Sequence, residues 1–198
     1  MSESKNLRLE NIREVCETDD VYLWKRACGA RISLSQLKDT IENEELEPPR
    51  IRILKNDKYF DPRILKGISN GRLRLSADFK LIEDAIAKDS TLVVDNVAPL
   101  NADLSVLCEE VSKMMGRTCP GNLYCSTVPS SGFGAHADQH HVLVVQLDGK
   151  KRWKIESSRT EFADFEIEAG DVLFVRQGIR HNVNSLGVLS VHITIAIN

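Results

Sequence analysis

The sequence predicts a mostly β protein with some α-helix: a double-stranded β-helix of the jelly-roll or cupin type, on which an N-terminal helical layer packs. Two observations predict this class. From residue 122 onward, short apolar or alternating runs are separated by turn residues, as in EAGDV, which is typical of an antiparallel sandwich or barrel. Before that point, the apolar spacing is mostly that of helices.

The length of the chain predicts one domain. A chain of 198 residues can fill one core but is short for two ordinary domains. We expect residues 1–198 to form a single unit, in which residues 1–120 are the helical layer with two short strands and residues 121–198 are the core β-barrel. Apolar residues make up 42% of the chain and charged residues 28%, which is close to the average for globular proteins.

Local signals place the elements of the first half. A charged helix over 33–46 starts at serine caps and ends before the prolines of EPPR, because proline disfavours helix in the residue that precedes it. RIRIL and TLVVDNV (91–97) are the two expected strands, and DPRILKGISNGR between them is expected to be a loop. A further helix begins at Ser76 or Asp78 and ends near Lys88.

The clearest helix follows the second of these strands. Asn101 is its expected N-cap and Gly116 its expected end. One apolar stripe runs along it, formed by Leu104, Leu107, Cys108, Val111, Met114 and Met115. Such a stripe indicates a helix with one buried face.

Charge and cysteine content exclude several classes of protein. A net charge of -3 and a pI near 6.0 disfavour nucleic-acid binding, which usually requires a basic surface. The five cysteines are widely spaced and contain no CxxC pair, so they predict neither a disulfide framework nor a zinc finger. The N-terminus lacks an apolar segment, and no window approaches a membrane span. We therefore expect a cytoplasmic protein without membrane contact.

The stretch GFGAHADQHH, residues 132–141, runs directly into the apolar VLVVQL. Side chains at positions i and i+2 of a strand share a face, so His136 and Asp138 can reach one ion. His181, between the strand AGDVLFV and the next one, is the best-placed third ligand. Two histidines and one carboxylate on one side of a metal leave the opposite side open, as in non-haem Fe(II) oxygenases. His140 shares this parity, although a surface or core histidine is the simpler interpretation.

A second signal comes from GKKRWKIE. Lys151 shares a face with Trp153 and Ile155, which are core residues, so the lysine is expected to point inward. A buried lysine requires an anion. The partner is either a structural Asp or Glu or the distal carboxylate of a dicarboxylate ligand, unless a bulge reverses the parity and turns the lysine outward.

Two further strands carry polar residues on one face. Asn122, Tyr124 and Ser126 alternate in NLYCSTV, which indicates a lined cavity or an exposed face of an edge strand. Ser190, His192 and Thr194 share a face of the last strand. His192 is interpreted as a core histidine or as a residue behind the ligands.

These residues carry a resemblance to a known family. NLYCSTVPSSGFGAHADQHHVLVVQLDGKKRWKI, then AGDVLFVRQGIRHNV and SVHITI, resemble the JmjC-type, cupin-fold 2-oxoglutarate oxygenases, in particular the branch of ribosomal-protein and related protein hydroxylases. The resemblance implies that His136, Asp138 and His181 hold Fe(II). It also implies that Lys151 anchors the C5 carboxylate of 2-oxoglutarate and that Asn122 and Tyr124 line the co-substrate pocket, where we also place His192.

The implied activity is that of an Fe(II)- and 2-oxoglutarate-dependent dioxygenase. Members of the family use dioxygen to convert 2-oxoglutarate into succinate and carbon dioxide, and they hydroxylate an unactivated C–H bond. The expected partner is a protein or peptide, with arginine, histidine or asparagine as typical targets. N-methyl demethylation, a free amino acid or small peptide natural product as substrate, and a metal-binding cupin that is not an oxygenase are the alternatives. The sequence leaves the oligomeric state open.

Overall fold

The computed structural model describes residues 9–43, 50–56, 58–69, 72–98, 101–127, 134–158 and 161–197. Its helices are Leu9–Thr18 (α1), Leu34–Asn43 (α2), Phe79–Ile86 (α3) and Ala102–Met115 (α4). The first six strands are Val21–Trp24 (β1), Ile51–Lys55 (β2), Lys58–Phe60 (β3), Arg63–Ser69 (β4), Arg72–Ala77 (β5) and Thr91–Val94 (β6). The remaining strands are Gly121–Ser126 (β7), His141–Ser158 (β8), Glu161–Glu168 (β9), Val172–Val175 (β10) and His181–Ile197 (β11).

Nine of these strands form one antiparallel sheet. Along the sheet the order is β1, β10, β8, β11, β7, β6, β2 and β3, and β9 pairs with β8. The expected fold class, mostly β with a few helices, is confirmed.

The two longest strands differ from the prediction. HHVLVVQLDG and KRWKIE were expected to be two strands but form the continuous β8, and HNVNS and VLSVHITIAI form the continuous β11. The residues that suggested turns lie instead at irregularities, where the register between β8 and β11 shifts around Ser185 and Ser190. Gly149 permits one of them, because its φ of 63° lies in the left-handed region.

The N-terminal layer contains more strand than the sequence predicted. Six strands lie among the described residues before position 121, where two were expected. VYLW pairs with β10, and the expected loop DPRILKGISNGR contains β4, which pairs with β5. These strands are short, and they owe their structure to pairing with neighbours rather than to an alternating pattern. The end of the helix predicted over 33–46 falls outside the described residues, since α2 ends at Asn43.

The caps of α3 and α4 agree with the sequence. Asp78 accepts a hydrogen bond from the Leu81 N–H, and Asn101 accepts one from the Leu104 N–H. Gly116 ends α4 with a φ of 68°. Four residues of the predicted apolar stripe are buried: Leu104, Leu107, Cys108 and Val111.

The sheet separates two apolar clusters. The larger one joins the helices to the face that carries Leu143, Val145, Ile193 and Ile195. The smaller one lies on the opposite face and contains Val142, Val144, Trp153, Ile155, Ile167, Leu173 and Val175. The candidate site lies beside this second cluster.

A buried carboxylate joins the N-terminal segment to the barrel. Asp171, at the start of β10, accepts hydrogen bonds from Lys25 Nζ at 2.7 Å, from the Arg26 N–H at 3.0 Å and from the Glu168 N–H at 3.0 Å. Burial alone would raise the pKa of Asp171, but these donors outweigh burial and lower it. In the described part of the chain, no helix is both long and apolar enough to cross a membrane.

Candidate metal and co-substrate site

His136, Asp138 and His181 form the one cluster in the described residues with the composition and spacing to hold a metal ion. One ligand atom from each lies within 4.8 Å of the others. The Nε2 atoms of His136 and His181 lie 3.9 and 3.6 Å from the two carboxylate oxygens of Asp138. The structure thus brings together the three residues that the sequence singled out.

The local backbone differs from the expected strand. His136 and Asp138 lie before the start of β8, and His136 forms an isolated bridge with His181 through two backbone hydrogen bonds of 3.0 and 2.8 Å. The Gly178 N–H donates to the Asp138 carbonyl at 3.0 Å. The alternation of side chains along a strand therefore does not explain the cluster. The segment is held against the start of β11 instead.

Hydrogen bonds orient both imidazole rings. Nδ1 of His136 lies 2.8 Å from the Gly134 carbonyl, and Nδ1 of His181 lies 3.0 Å from the Ile179 carbonyl. A carbonyl can only accept, so Nδ1 is the donor in each ring, and the lone pair of the neutral imidazole is then on Nε2. The lone pairs face the carboxylate of Asp138, which is the arrangement that a metal requires.

Burial keeps His181 neutral. His181 is 2% exposed, and this burial lowers its pKa below the usual value, although the Ile179 carbonyl acts in the opposite direction. A neutral imidazole is the form that binds metal ions.

A cavity of about 210 Å³ opens beside the three side chains. All seven residues proposed from the sequence line it, and so do His140, Leu54, Thr91, Val142, Trp153, Val183, Thr194 and Ala196. A volume of this size suits a ligand smaller than a drug molecule.

Lys151 is buried in the wall of this cavity. It is 3% exposed and donates hydrogen bonds to the hydroxyls of Ser126 at 2.9 Å and Ser185 at 3.2 Å. No carboxylate among the described residues forms an ion pair with it. Burial lowers the pKa of Lys151 to about 8. A structural salt bridge at Lys151 would therefore lack its carboxylate among the described residues.

His192 and Tyr124 stack next to Lys151. Their ring centroids are 5.1 Å apart with an angle of 11° between the planes. Burial, and then the charge of Lys151, lower the pKa of His192 well below the usual value. Nδ1 of His192 and Nε1 of Trp153 are buried without a hydrogen-bond partner. Buried polar atoms of this kind require an explanation, and a ligand in the cavity supplies one.

Asn122 faces the cavity with its donor end. Its Oδ1 accepts a hydrogen bond from the Asn96 N–H at 3.1 Å, so its amide nitrogen is the group left for a ligand. Asn96 has a φ of 52°, a conformation that asparagine tolerates better than most residues.

Ser185, which accepts a hydrogen bond from Lys151, was not identified from the sequence. It lies directly opposite Lys151 in the pairing of β8 and β11, and its hydroxyl also lies 2.7 Å from that of Ser126. No motif marked it, because its partner could be recognised only once the register of the two strands was known.

These observations define a cupin-type barrel with a candidate two-histidine, one-carboxylate metal centre beside a pocket that ends in a buried lysine. A family model for the JmjC domain matches residues 99–163. This third of the chain is therefore similar to the JmjC domain.

Curated relatives support the same family. The chain is 32% identical over 114 residues to Ribosomal oxygenase 1 of Danio rerio. This alignment covers 47% of this chain and 20% of the relative. It is 24% identical over 138 residues to the bifunctional lysine-specific demethylase and histidyl-hydroxylase NO66 of Drosophila erecta. This alignment covers 59% of this chain and 21% of the relative. The chain thus spans about a fifth of the length of these relatives.

Solved structures share the fold. The ribosomal oxygenase YcfD from Escherichia coli matches 100% of this chain and 53% of its own, with a TM-score of 0.66 and 19% identity. A complex of YcfD with cobalt and 2-oxoglutarate matches 95% of this chain and 51% of its own, with the same TM-score of 0.66 and 19% identity.

Proposed function

We propose that this protein is an Fe(II)- and 2-oxoglutarate-dependent dioxygenase that hydroxylates a C–H bond of an amino-acid side chain in a protein or peptide. One observation carries the proposal. The cluster of His136, Asp138 and His181 shares a single cavity with Lys151, a buried cation without a carboxylate partner in the described chain.

The donor set fits Fe(II). Two neutral imidazoles and one carboxylate are the ligands of the non-haem iron oxygenases. Both histidines have Nδ1 held by a backbone carbonyl, so neither ring has to change its tautomer when it binds a metal. His136, Asp138 and His181 would hold the ion.

The other end of the cavity fits a dicarboxylate. Lys151 would bind the distal carboxylate, and the hydroxyls of Ser126 and Ser185 already lie within hydrogen-bond distance of its ammonium group. A carboxylate beside this ammonium would compensate the cost of burying the charge. The amide nitrogen of Asn122, the ring of Tyr124 and the unpartnered Nδ1 of His192 would complete the pocket.

Bound iron would supply the activation of dioxygen, by which 2-oxoglutarate becomes succinate and carbon dioxide and the substrate C–H becomes C–OH. The protein has three other tasks. The side-chain cluster fixes where the ion lies, Lys151 fixes the orientation of the co-substrate, and the apolar wall of Val142, Trp153 and Val183 limits water.

The proposed substrate is a protein or peptide. Relatives of the chain are named ribosomal oxygenases, or a lysine-specific demethylase and histidyl-hydroxylase, and we carry their class of substrate over to this protein. A cupin that only binds a metal or a sugar does not require a buried lysine next to the metal. Lys151 therefore favours the oxygenase over that alternative.

The test is succinate formation from 2-oxoglutarate in air by Fe(II)-loaded protein without added substrate. We expect slow turnover by the wild type, and its loss in His136→Ala and in Lys151→Met. Lys154→Met is the matched control, because Lys154 is an exposed lysine on the same strand. Absence of turnover in the wild type, together with absence of 2-oxoglutarate binding by calorimetry, would overturn the proposal.

A further inference from the structure

Strands β6 and β2 extend the face of the sheet that lines the cavity. Tyr124 lies opposite Val93 of β6, and Val93 lies opposite Arg52 of β2. Directly paired residues share a face of the sheet. The row that starts at the cavity with Tyr124 thus continues to Arg52, about 10 Å away at the usual spacing of strands.

A second row leads from the cavity to Arg50. Asn122, a cavity residue, accepts a hydrogen bond from the Asn96 N–H, and the Asp95 N–H donates to the Arg50 carbonyl at 2.8 Å. The guanidinium of Arg50 donates to the Asn96 carbonyl at 3.1 Å. Arg50 therefore lies at the end of a continuous hydrogen-bonded path that begins in the cavity wall.

The two arginines differ in how their charge is balanced. Nη2 of Arg52 lies 2.5 Å from Oδ1 of Asp95, and its guanidinium lies 4.1 Å from the centre of the Tyr59 ring. Arg50 has no carboxylate partner among the described residues, and its Nε is buried without a hydrogen bond. Within the described part of the chain, the surface formed by Arg50, Arg52, Asp95 and Tyr59 thus has a positive charge at Arg50 that no carboxylate pairs.

We propose that Arg50 binds an acidic side chain of the substrate, two or three residues from the residue that is hydroxylated. This inference rests on the proposed function. An extended peptide rises about 3.3 Å per residue, so two or three residues span the roughly 7 to 10 Å between the cavity and the arginines. The guanidinium of Arg50 donates through Nη2 to a backbone carbonyl and to no carboxylate among the described residues, so it keeps donors for a substrate carboxylate. Arg52, Asp95 and Tyr59 position this surface, and Arg50 determines specificity.

The probes are fluorescein-labelled peptides of eleven residues with a central histidine, arginine or asparagine in a glycine and serine background. Each peptide carries a single glutamate at one position, and binding to Mn(II)- and 2-oxoglutarate-loaded protein is measured by anisotropy. We expect the tightest binding when the glutamate lies two or three residues to one side of the centre. The expected preference over the peptide without glutamate is about five- to tenfold, as for a partly buried charged hydrogen bond.

Variants of Arg50 identify the contact. Arg50→Ala should remove the preference for glutamate, and Arg50→Glu should replace it with a preference for lysine at the same position. Lys55→Ala is the matched control, because Lys55 ends β2, the strand that Arg50 directly precedes, and its Nζ also donates to a backbone carbonyl, that of Lys88 at 3.1 Å. This control should keep the preference of the wild type.

Three results would overturn the inference: equal binding of all peptides, no binding of any peptide, or a preference that survives Arg50→Ala. A labelled oligouridylate that binds more tightly than every peptide, and loses affinity in Arg50→Ala, would assign Arg50 to phosphate and also contradict it. Succinate formation without peptide is measured in parallel. This assay contains no peptide, so absence of turnover in the wild type would count against the proposed function and not against the role of Arg50.

Discussion

At the scale of single residues, Lys151 is the group whose environment is most informative. A lysine that is 3% exposed and bonded only to two hydroxyls is poorly compensated, because a hydroxyl does not replace the water and counter-ions that a free ammonium has. Its pKa of about 8 expresses this cost. A protein retains such a residue for specificity or function rather than for stability.

The first prediction concerns Lys151→Met. The variant should lose 2-oxoglutarate binding by at least about a hundredfold, as expected when a buried ion pair loses one partner. Its ligand-free fold should be as stable as the wild type or more stable, by up to about 3 kcal/mol, because the charge is removed from the interior. Ser126 and Ser185 still bond to each other at 2.7 Å. Calorimetry and urea unfolding measure the two effects, with Lys154→Met as control.

The second prediction is a pH dependence of 2-oxoglutarate binding. Burial holds the pKa of Lys151 at about 8 in the free protein, and a bound carboxylate raises it. Affinity should therefore be constant below about pH 8 and fall up to tenfold per pH unit above it. The other titratable groups that face Lys151 do not ionise in this range, since burial raises the pKa of Cys125 to about 12 and lowers that of His192. Calorimetry of the Mn(II) protein between pH 7 and 9 tests this, and the control Lys154→Met should keep the slope of the wild type.

The lowered pKa of Lys151 should make the stability of the ligand-free protein change with pH in the opposite direction to the affinity for 2-oxoglutarate. The folded-state pKa of Lys151 is lowered, so the unfolded chain binds more protons between pH 8 and its ordinary value of 10.5. Stability of the ligand-free protein should therefore rise with pH in that interval. A decrease specific to the wild type, absent from Lys151→Met, would contradict the burial of a charged lysine.

At the scale of elements, the irregularity of β8 at Gly149 positions Lys151 at the cavity. A Cβ at Gly149 would lie 1.6 Å from the Leu189 carbonyl oxygen, which belongs to the paired strand β11. Lys151 lies two residues further along β8. The close approach of the two strands at this point thus fixes the position from which the lysine enters the cavity.

The third prediction compares two glycines with similar backbone conformations. Gly149→Ala should destabilise the protein by more than about 3 kcal/mol, because both the positive φ and the clash oppose it. Gly116→Ala is the control: its φ is 68° against 63°, but nothing lies within 4 Å of its Cβ. It should cost about 1 kcal/mol. Similar losses of unfolding free energy for both variants would contradict the close packing at Gly149.

The sequence predicted those elements whose signals are local. Asp78, Asn101 and Gly116 cap their helices as expected, because caps depend on residues within one turn. The parity of Lys151 with Trp153 and Ile155 also held, since all three are buried in the structure. The hairpin of β4 and β5 and the strand β1 were missed, because pairing partners distant in sequence decide them.

The candidate site was predicted from residue chemistry and not from local backbone signals. Residue chemistry identified His136, Asp138 and His181, and the structure brings them together, but the expected strand at His136 is absent. Its backbone pairs with His181 instead. Ser185 was missed because only the register of β8 and β11 reveals it.

At the scale of the whole molecule, Asp171 connects the N-terminal segment to the barrel. The fourth prediction is that Asp171→Ala lowers the free energy of unfolding at pH 7 by about 2 kcal/mol, since three donors lose their acceptor. The pKa of Asp171 is lowered in the folded state, so its contribution is present above the ordinary pKa and is lost as the pH falls through the folded value. The difference between variant and wild type should therefore shrink below about pH 4. Urea unfolding at both pH values measures it, and a constant difference would contradict the role of the ionised carboxylate.

We propose above that the three candidate metal ligands, His136, Asp138 and His181, form one site with Lys151. Calorimetric titration of 2-oxoglutarate into Mn(II)-loaded and metal-free protein, compared between wild type, His136→Ala and Lys151→Met, tests it most directly. We expect that the metal strengthens binding in the wild type, that His136→Ala binds as weakly as the metal-free wild type, and that Lys151→Met does not bind. Equal affinity of wild type and Lys151→Met, or an affinity that does not depend on the metal, would contradict it.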